Sequence, residues 1–109
     1  MTEDQIQAQL VWWARKQWPD IPIFSIPNGG ARHPAVAAKM KSTGALAGVP
    51  DLMVADGKPG LFVELKTASG RLAGSQKAVI KKLEGCGYPV AVCYGLEQAQ
   101  QAIEEYLNG

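Results

Sequence analysis

Asp51, Glu64 and Lys66 are the residues of this chain whose types and spacing suit a reaction. Asp51 ends the run Gly48-Val49-Pro50-Asp51, and Glu64 and Lys66 frame Leu65 in Phe62-Val63-Glu64-Leu65-Lys66. Two carboxylates set side by side repel, and near a core they are costly to keep ionised. A divalent cation removes that cost. Mg²⁺ needs only one or two protein carboxylates, with water and phosphate oxygens completing its shell. It lowers the pKa of a water and offsets charge on a departing oxygen. Lys66 can orient the attacking water or neutralise charge building on a phosphate. The chemistry that suits this set is metal-assisted phosphodiester hydrolysis. The Leu65 backbone carbonyl supplies a further oxygen donor.

These side chains meet only if the chain brings them together. Leu52-Met53-Val54-Ala55 and Leu61-Phe62-Val63 are short runs of strand type around the turn-forming Asp56-Gly57-Lys58-Pro59-Gly60. With a loop of Asp56 to Pro59, Met53 falls opposite Phe62 and Asp51 opposite Glu64. Alternation then puts Asp51, Glu64 and Lys66 on one face. Leu52, Val54, Leu61, Val63 and Leu65 take the other, wholly aliphatic. Opposed Cβ atoms are about 4.5–5.5 Å apart, within reach of one ion. A five-residue loop slips the register by one and turns Asp51 away. The alternative to a reactive site is an ordinary cluster of opposite charges on a solvated sheet face, worth about 0–1 kcal/mol.

The remaining elements follow from periodicity and caps. Thr2-Glu3-Asp4-Gln5 is a capping box opening a helix that Pro19 stops near Trp18, with Ile6, Leu10, Trp13 and Ala14 inward. Glu3 and Gln7 flank that stripe. A carboxylate there can join the site, and it equally suits the helix dipole. Ile21 to Ile26 is a strand weakened by Pro22. Pro27-Asn28-Gly29-Gly30 follows, a loop able either to grip a phosphate or simply to turn. His33-Pro34 opens a second helix carrying Lys39 and Lys41, which Gly44 closes. After Lys66 a loop with Arg71 leads to a helix starting around Ala73 to Ser75, with Val79, Ile80 and Leu83 inward. Gln76, in its first turn, suits either a water-holding amide or a capping partner. Tyr88 to Tyr94 is a strand, and Leu96 to Leu107 a helix with Ala99, Ala102, Ile103 and Tyr106 inward. The predicted order is α-β-α-β-β-α-β-α, an α/β fold with a mixed sheet flanked by helices.

Composition bounds the partners. The chain has 109 residues, 47% of them hydrophobic, enough for one compact domain over 1–109. No stretch of about 18 apolar residues is present and Met1 to Gln5 lacks a signal-peptide pattern, so the expectation is an intracellular protein without a membrane partner. Cys86 and Cys93 have no CxxC spacing and His33 is the one histidine, which sets zinc aside. Net charge is only +1, but residues 28–82 hold nine basic groups against three acidic, while residues 83–109 hold four glutamates and no Lys or Arg. The region of the candidate site is thus locally basic, as a phosphate backbone requires.

Pro50-Asp51 with Glu64-Leu65-Lys66 on the next strand resembles the signature of the PD-(D/E)xK nucleases. With Pro27-Asn28-Gly29-Gly30 before it and Gln76 heading the next helix, the set is similar to the virus-type replication-repair nuclease (VRR-NUC) domain, across essentially the whole chain. That resemblance implies a restriction-endonuclease-like fold and Mg²⁺- or Mn²⁺-dependent endonucleolytic cleavage of DNA. It assigns Asp51 and Glu64 to the metal, Lys66 and Gln76 to catalysis, and an acidic or amide residue of the first helix, Glu3 or Gln7, beside them. Asn28, Gly29, Gly30, Arg32, Lys39, Lys41 and Arg71 are the candidate DNA contacts. Small stand-alone members from phages and bacteria are similar to dimeric resolvases of four-way (Holliday) junctions, which implies a homodimer in the cytoplasm of a bacterial host. Trp12, Trp18 and Tyr94 are the candidate dimer contacts. The alternative is a DNA-binding module of the same fold without catalysis, against which stands the presence of all three of Asp51, Glu64 and Lys66.

Overall fold

The computed structural model describes residues 1–27 and 33–109. Its elements are α1 (Glu3–Gln17), β1 (Ile23–Ser25), α2 (Pro34–Ser42), β2 (Leu52–Val54), β3 (Leu61–Lys66), α3 (Gly74–Gly85), β4 (Val90–Tyr94) and α4 (Leu96–Asn108), in the expected order. They form a four-stranded sheet ordered β1-β2-β3-β4, antiparallel except for the parallel pair β3–β4, which α3 connects. Among the described residues no helix is long and apolar enough to cross a membrane.

One face of the sheet is a continuous aliphatic surface because the strands alternate. Leu52, Val54, Leu61, Val63 and Leu65 are buried there, with Ile6, Leu10 and Ala14 of α1 and Ala99 and Ile103 of α4 packed in the same core. Burying each of the larger side chains contributes about 1.5–3 kcal/mol. Helix α1 starts where its capping box requires: the Thr2 hydroxyl accepts from the Gln5 amide at 3.1 Å, and Gln5 Oε1 accepts from the Thr2 amide at 2.9 Å. His33 caps α2 by accepting from the Ala35 amide at 3.2 Å, with Pro34 in the first turn.

Strand β1 is shorter than the Ile21–Ile26 reading. Its flanks still bond to the neighbouring strand, Ala55 N–H to the Pro22 carbonyl at 2.9 Å and Ile26 N–H to the Asp51 carbonyl at 2.8 Å. Pro22 has no N–H to offer in return, so regular pairing stops there.

The β2–β3 register decides where the carboxylates go. Met53 pairs with Phe62, Leu52 with Val63 and Val54 with Leu61, as the four-residue loop requires. A side chain from the far end of the sequence holds that loop. The Tyr106 hydroxyl of α4 accepts from Gly60 N–H at 2.8 Å and donates to Asp56 Oδ1 at 2.7 Å, so it ties the two ends of the loop together. Asp56 Oδ1 also accepts from Lys58 N–H at 3.0 Å. Burial alone would push the Asp56 carboxyl up, but the Lys58 amide and the Tyr106 hydroxyl outweigh it and hold the group below its usual range.

Tyr106→Phe removes the hydroxyl that serves both loop ends. Loss of about 1–2 kcal/mol of unfolding free energy is expected in urea titration at neutral pH. Because Asp56 is held below its ordinary 3.8, its share of that stability is present above this value. The gap between wild type and variant should therefore narrow in acid. An unchanged urea midpoint would remove Tyr106 from the account of the register.

Candidate active site

Continuing the observed register by one residue sets Asp51 against Glu64, and Asp51 is gripped on both sides. Its backbone carbonyl accepts from Ile26 N–H, and its Oδ2 accepts from Leu65 N–H at 2.7 Å. Where the β2–β3 pairing ends, the Asp51 carboxylate supplies the acceptor for Leu65 N–H. The carboxylate is thereby fixed at the end of the hairpin away from the loop.

Glu64 is 1% exposed and Lys66 is 8% exposed, so the solvated surface cluster is not what forms. Glu64 Oε1 accepts from Gln76 Nε2 at 2.9 Å and stands 3.9 Å from Lys66 Nζ. Its other oxygen, Oε2, is buried without a hydrogen-bond partner. Burial, the first cause, and the charge of Asp51 push the Glu64 carboxyl up to about 8. Lys66 pulls against them, and the charge of Glu3 adds to the rise. A carboxylate pair with one member buried and one oxygen unmatched fits a small hard cation, and Mg²⁺ or Mn²⁺ suits two oxygen donors of this kind. Among the described residues no group of three or more His, Cys, Asp or Glu side chains is assembled for a metal, so the donor set is the sparse one that leaves room for water and phosphate.

Gln76 takes the capping role and, with its other end, bonds a carboxylate of the site. Its Oε1 accepts from the Ala73 amide at 2.7 Å, completing a capping arrangement at the start of α3, while its Nε2 holds Glu64. The alanine N-cap has no side-chain acceptor of its own, so the glutamine works alone there.

Two glycines position this set, and only their backbone conformation or close packing could have revealed it. Gly48 has φ +89°, and a Cβ there would run into the backbone of Ser75 and Gln76. The segment leading to Asp51 therefore lies directly against the first turn of α3. Gly70 closes the turn after β3 by donating to the Thr67 carbonyl at 3.0 Å. A methyl at this position would stand 3.3 Å from Lys66 Cβ and 3.4 Å from its Cδ, so the turn covers the lysine stem.

Of the two first-helix candidates, the charge of Glu3 bears on Glu64, and Gln7 lines a groove of about 340 Å³ with Asp4, Ala8, Val11, Arg15 and Ser25. Arg71, Lys39 and Lys41 are exposed, the two lysines in the last turn of α2. Asn28, Gly29, Gly30 and Arg32 lie outside the described residues. A wider apolar groove, about 540 Å³, is lined by Ala8, Gln9, Trp12, Trp13, Leu96 and Gln100, none of which belongs to the carboxylate site. Of the aromatic dimer candidates, Trp12 is 64% and Tyr94 37% exposed. Trp18 is half-buried, edge-on to Trp13 with centroids 5.4 Å apart.

Residues 1–97 match the VRR-NUC domain. The chain belongs to the VRR-NUC family. A solved structure described as a VRR_NUC domain protein superimposes with a TM-score of 0.81 at 26% identity, over 99% of this chain and 89% of that one. No curated protein matches. The VRR-NUC fold is a nuclease fold, and the sheet, helices and hairpin described above are its arrangement in this chain.

Two expectations test the geometry of this VRR-NUC site. The folded value of Glu64, about 8, lies above its ordinary 4.5. The folded state then binds the proton more tightly, and stability must fall as pH rises across that window. In chelator, wild type should lose unfolding free energy relative to Glu64→Gln between pH 4.5 and about 8; parallel curves would contradict the burial of an unmatched carboxyl. Gly48→Ala should lower stability by more than about 2 kcal/mol, since it combines a left-handed conformation with a backbone clash. Calorimetry showing a wild-type melting temperature would rule that contact out.

Proposed function

We propose that this VRR-NUC chain is a Mg²⁺- or Mn²⁺-dependent endodeoxyribonuclease that hydrolyses phosphodiester bonds in branched DNA, four-way junctions above all. It acts as a homodimer in the cytoplasm of a bacterial cell. The observation that carries the reaction is the buried, unpartnered Oε2 of Glu64 beside Asp51. An enzyme with no use for a cation there would keep two repelling carboxylates at a cost, with no return.

In this reading Asp51, Glu64 and the Leu65 carbonyl hold the cation, which when bound lowers the pKa of water and offsets charge at the phosphate. Gln76 keeps the Glu64 carboxylate turned by its hydrogen bond to Oε1. Lys66, covered by the turn at Gly70, places an ammonium at the edge of the site, where it orients water or meets developing negative charge. Glu3 adds a third acidic group from the start of α1. Asn28, Gly29, Gly30, Arg32, Lys39, Lys41 and Arg71 contact the DNA backbone. The junction preference and the dimer rest on family likeness. A four-way junction needs two symmetric cuts, which a two-fold dimer supplies, and exposed Trp12 in its apolar groove suits such an interface.

The test is cleavage of labelled four-way junction and linear duplex with Mg²⁺ or Mn²⁺, comparing wild type with Glu64→Ala. Paired symmetric nicks in the junction are expected, lost in chelator and reduced at least about 100-fold in the variant. Equal cutting of both substrates would remove the junction preference and keep the nuclease. Tight junction binding by both proteins with no cutting under either metal would instead make the chain a DNA-binding module without catalysis.

A further inference from the structure

Of the three tyrosines in the chain, the fold makes use of two. The Tyr106 hydroxyl ties the ends of the hairpin loop, and the Tyr88 ring packs edge-on to Phe62 with centroids 5.5 Å apart. Tyr94 is different. Among the described residues its ring meets no other ring and its hydroxyl makes no hydrogen bond. The residue is 37% exposed.

The sheet sets this tyrosine beside the carboxylate site. Strands β3 and β4 run parallel, with Lys66 partnered by Tyr94, Leu65 by Cys93 and Glu64 by Val92. Leu65 and Cys93 both belong to the aliphatic core. Alternation therefore turns Tyr94 to the opposite face, the one that carries Glu64 and Lys66. Neighbouring strands lie about 4.8 Å apart, so the tyrosine rises next to the lysine stem. Its backbone is fixed on two sides. Gly95 N–H donates to the Lys66 carbonyl at 2.9 Å, and Tyr94 N–H donates to Gln98 Oε1 at 2.9 Å. An aromatic ring with two side-chain torsions on an anchored backbone offers a large contact surface at little cost in entropy. Asp51, Glu64, Lys66, Gln76 and Glu3 are all charged or amide groups. Beside them, Tyr94 is the side chain suited to the flat face of a base.

We propose that the Tyr94 ring is a stacking platform for an unpaired base of the DNA, next to the phosphate that lies at Asp51, Glu64 and Lys66. This deepens the nuclease reading above and rests on it. A base inside a continuous duplex has both faces covered by its neighbours, and freeing one costs unstacking energy. A nucleotide splayed out at a branch already has a free face for an aromatic ring. Stacking of this kind accepts any base, because every base has a π-face. The platform thus selects interrupted DNA over continuous duplex without reading sequence.

The experiment measures dissociation constants of wild type, Tyr94→Phe and Tyr94→Ala with Ca²⁺ in place of Mg²⁺. The probes are a labelled four-way junction, a forked duplex with unpaired arms and a linear duplex. Circular dichroism follows folding, and sedimentation follows the oligomeric state. Tyr94→Ala should bind the junction and the fork at least about 5-fold more weakly and the linear duplex as wild type does. Tyr94→Phe keeps the ring and should match wild type throughout. Wild-type affinities in Tyr94→Ala, or an equal loss on all three DNAs, would overturn the platform and leave the nuclease reading standing. Tyr94→Phe as weak as Tyr94→Ala would also overturn it, since the hydroxyl would then be the contact. So would a Tyr94→Ala that fails to fold or falls from dimer to monomer, which would make the ring a support of the protein itself. Absence of both DNA binding and cleavage in wild type would overturn the platform and the nuclease reading together.

Discussion

Two carboxylates forced together, one of them sealed from solvent, must share a proton or a cation. In this chain that pair is Asp51 and Glu64, and most of the surrounding architecture serves to keep it in place. Asp51 is bonded from both neighbouring strands, through its carbonyl by Ile26 and through its side chain by Leu65. Glu64 is buried on β3 with one oxygen satisfied by Gln76 and the other by nothing. Lys66 offsets part of the repulsion, yet burial and Asp51 still leave the Glu64 carboxyl far above its ordinary range. A fold selected only for stability would place an apolar or singly paired residue at position 64.

The cost is borne by elements that have no chemistry of their own. The aliphatic face of the hairpin supplies the cohesion: Leu52, Val54, Leu61, Val63 and Leu65 seal one side of the sheet against α1 and α4. That burial anchors the strands firmly enough to hold charged groups on the opposite face. The connection β3–α3–β4 then returns Gln76 over Glu64, and Gly48 allows the strand leading to Asp51 to press against the same turn of helix. Membership of the VRR-NUC family accounts for the recurrence of the pattern. The physics accounts for why these particular residue types fill it.

Much of this was legible in the residues themselves. The capping box at Thr2 and Gln5, the Pro34 start of α2 and the alternation along β2 and β3 are local signals, set by the chain within a few positions, and all appear in the structure. What was not legible was environment. Glu-x-Lys on a strand reads equally as a solvated ion pair. Only the packing of α3 and of the turn at Gly70 makes Glu64 and Lys66 buried. Gln76 looked like either a cap or a site residue because sequence offers one role per atom group at a time. In three dimensions its two ends face different partners, Ala73 and Glu64. Glu3 and Gln7 lie on one helical stripe, and their separation depends on where α1 meets the sheet.

By itself, then, the sequence determined the residue types, their alternation and the faces they occupy, because these depend on backbone geometry that repeats every two or 3.6 residues. The register of the hairpin was decided elsewhere. A four- or five-residue loop is equally compatible with Asp56 to Gly60, and a slip of one residue would turn Asp51 from the site. Tyr106, some fifty positions away in the chain, reaches across from α4 to bond both ends of that loop. Local preference cannot carry information over such a distance. Only the closed tertiary structure, in which α4 packs on the sheet, brings the phenol to the loop.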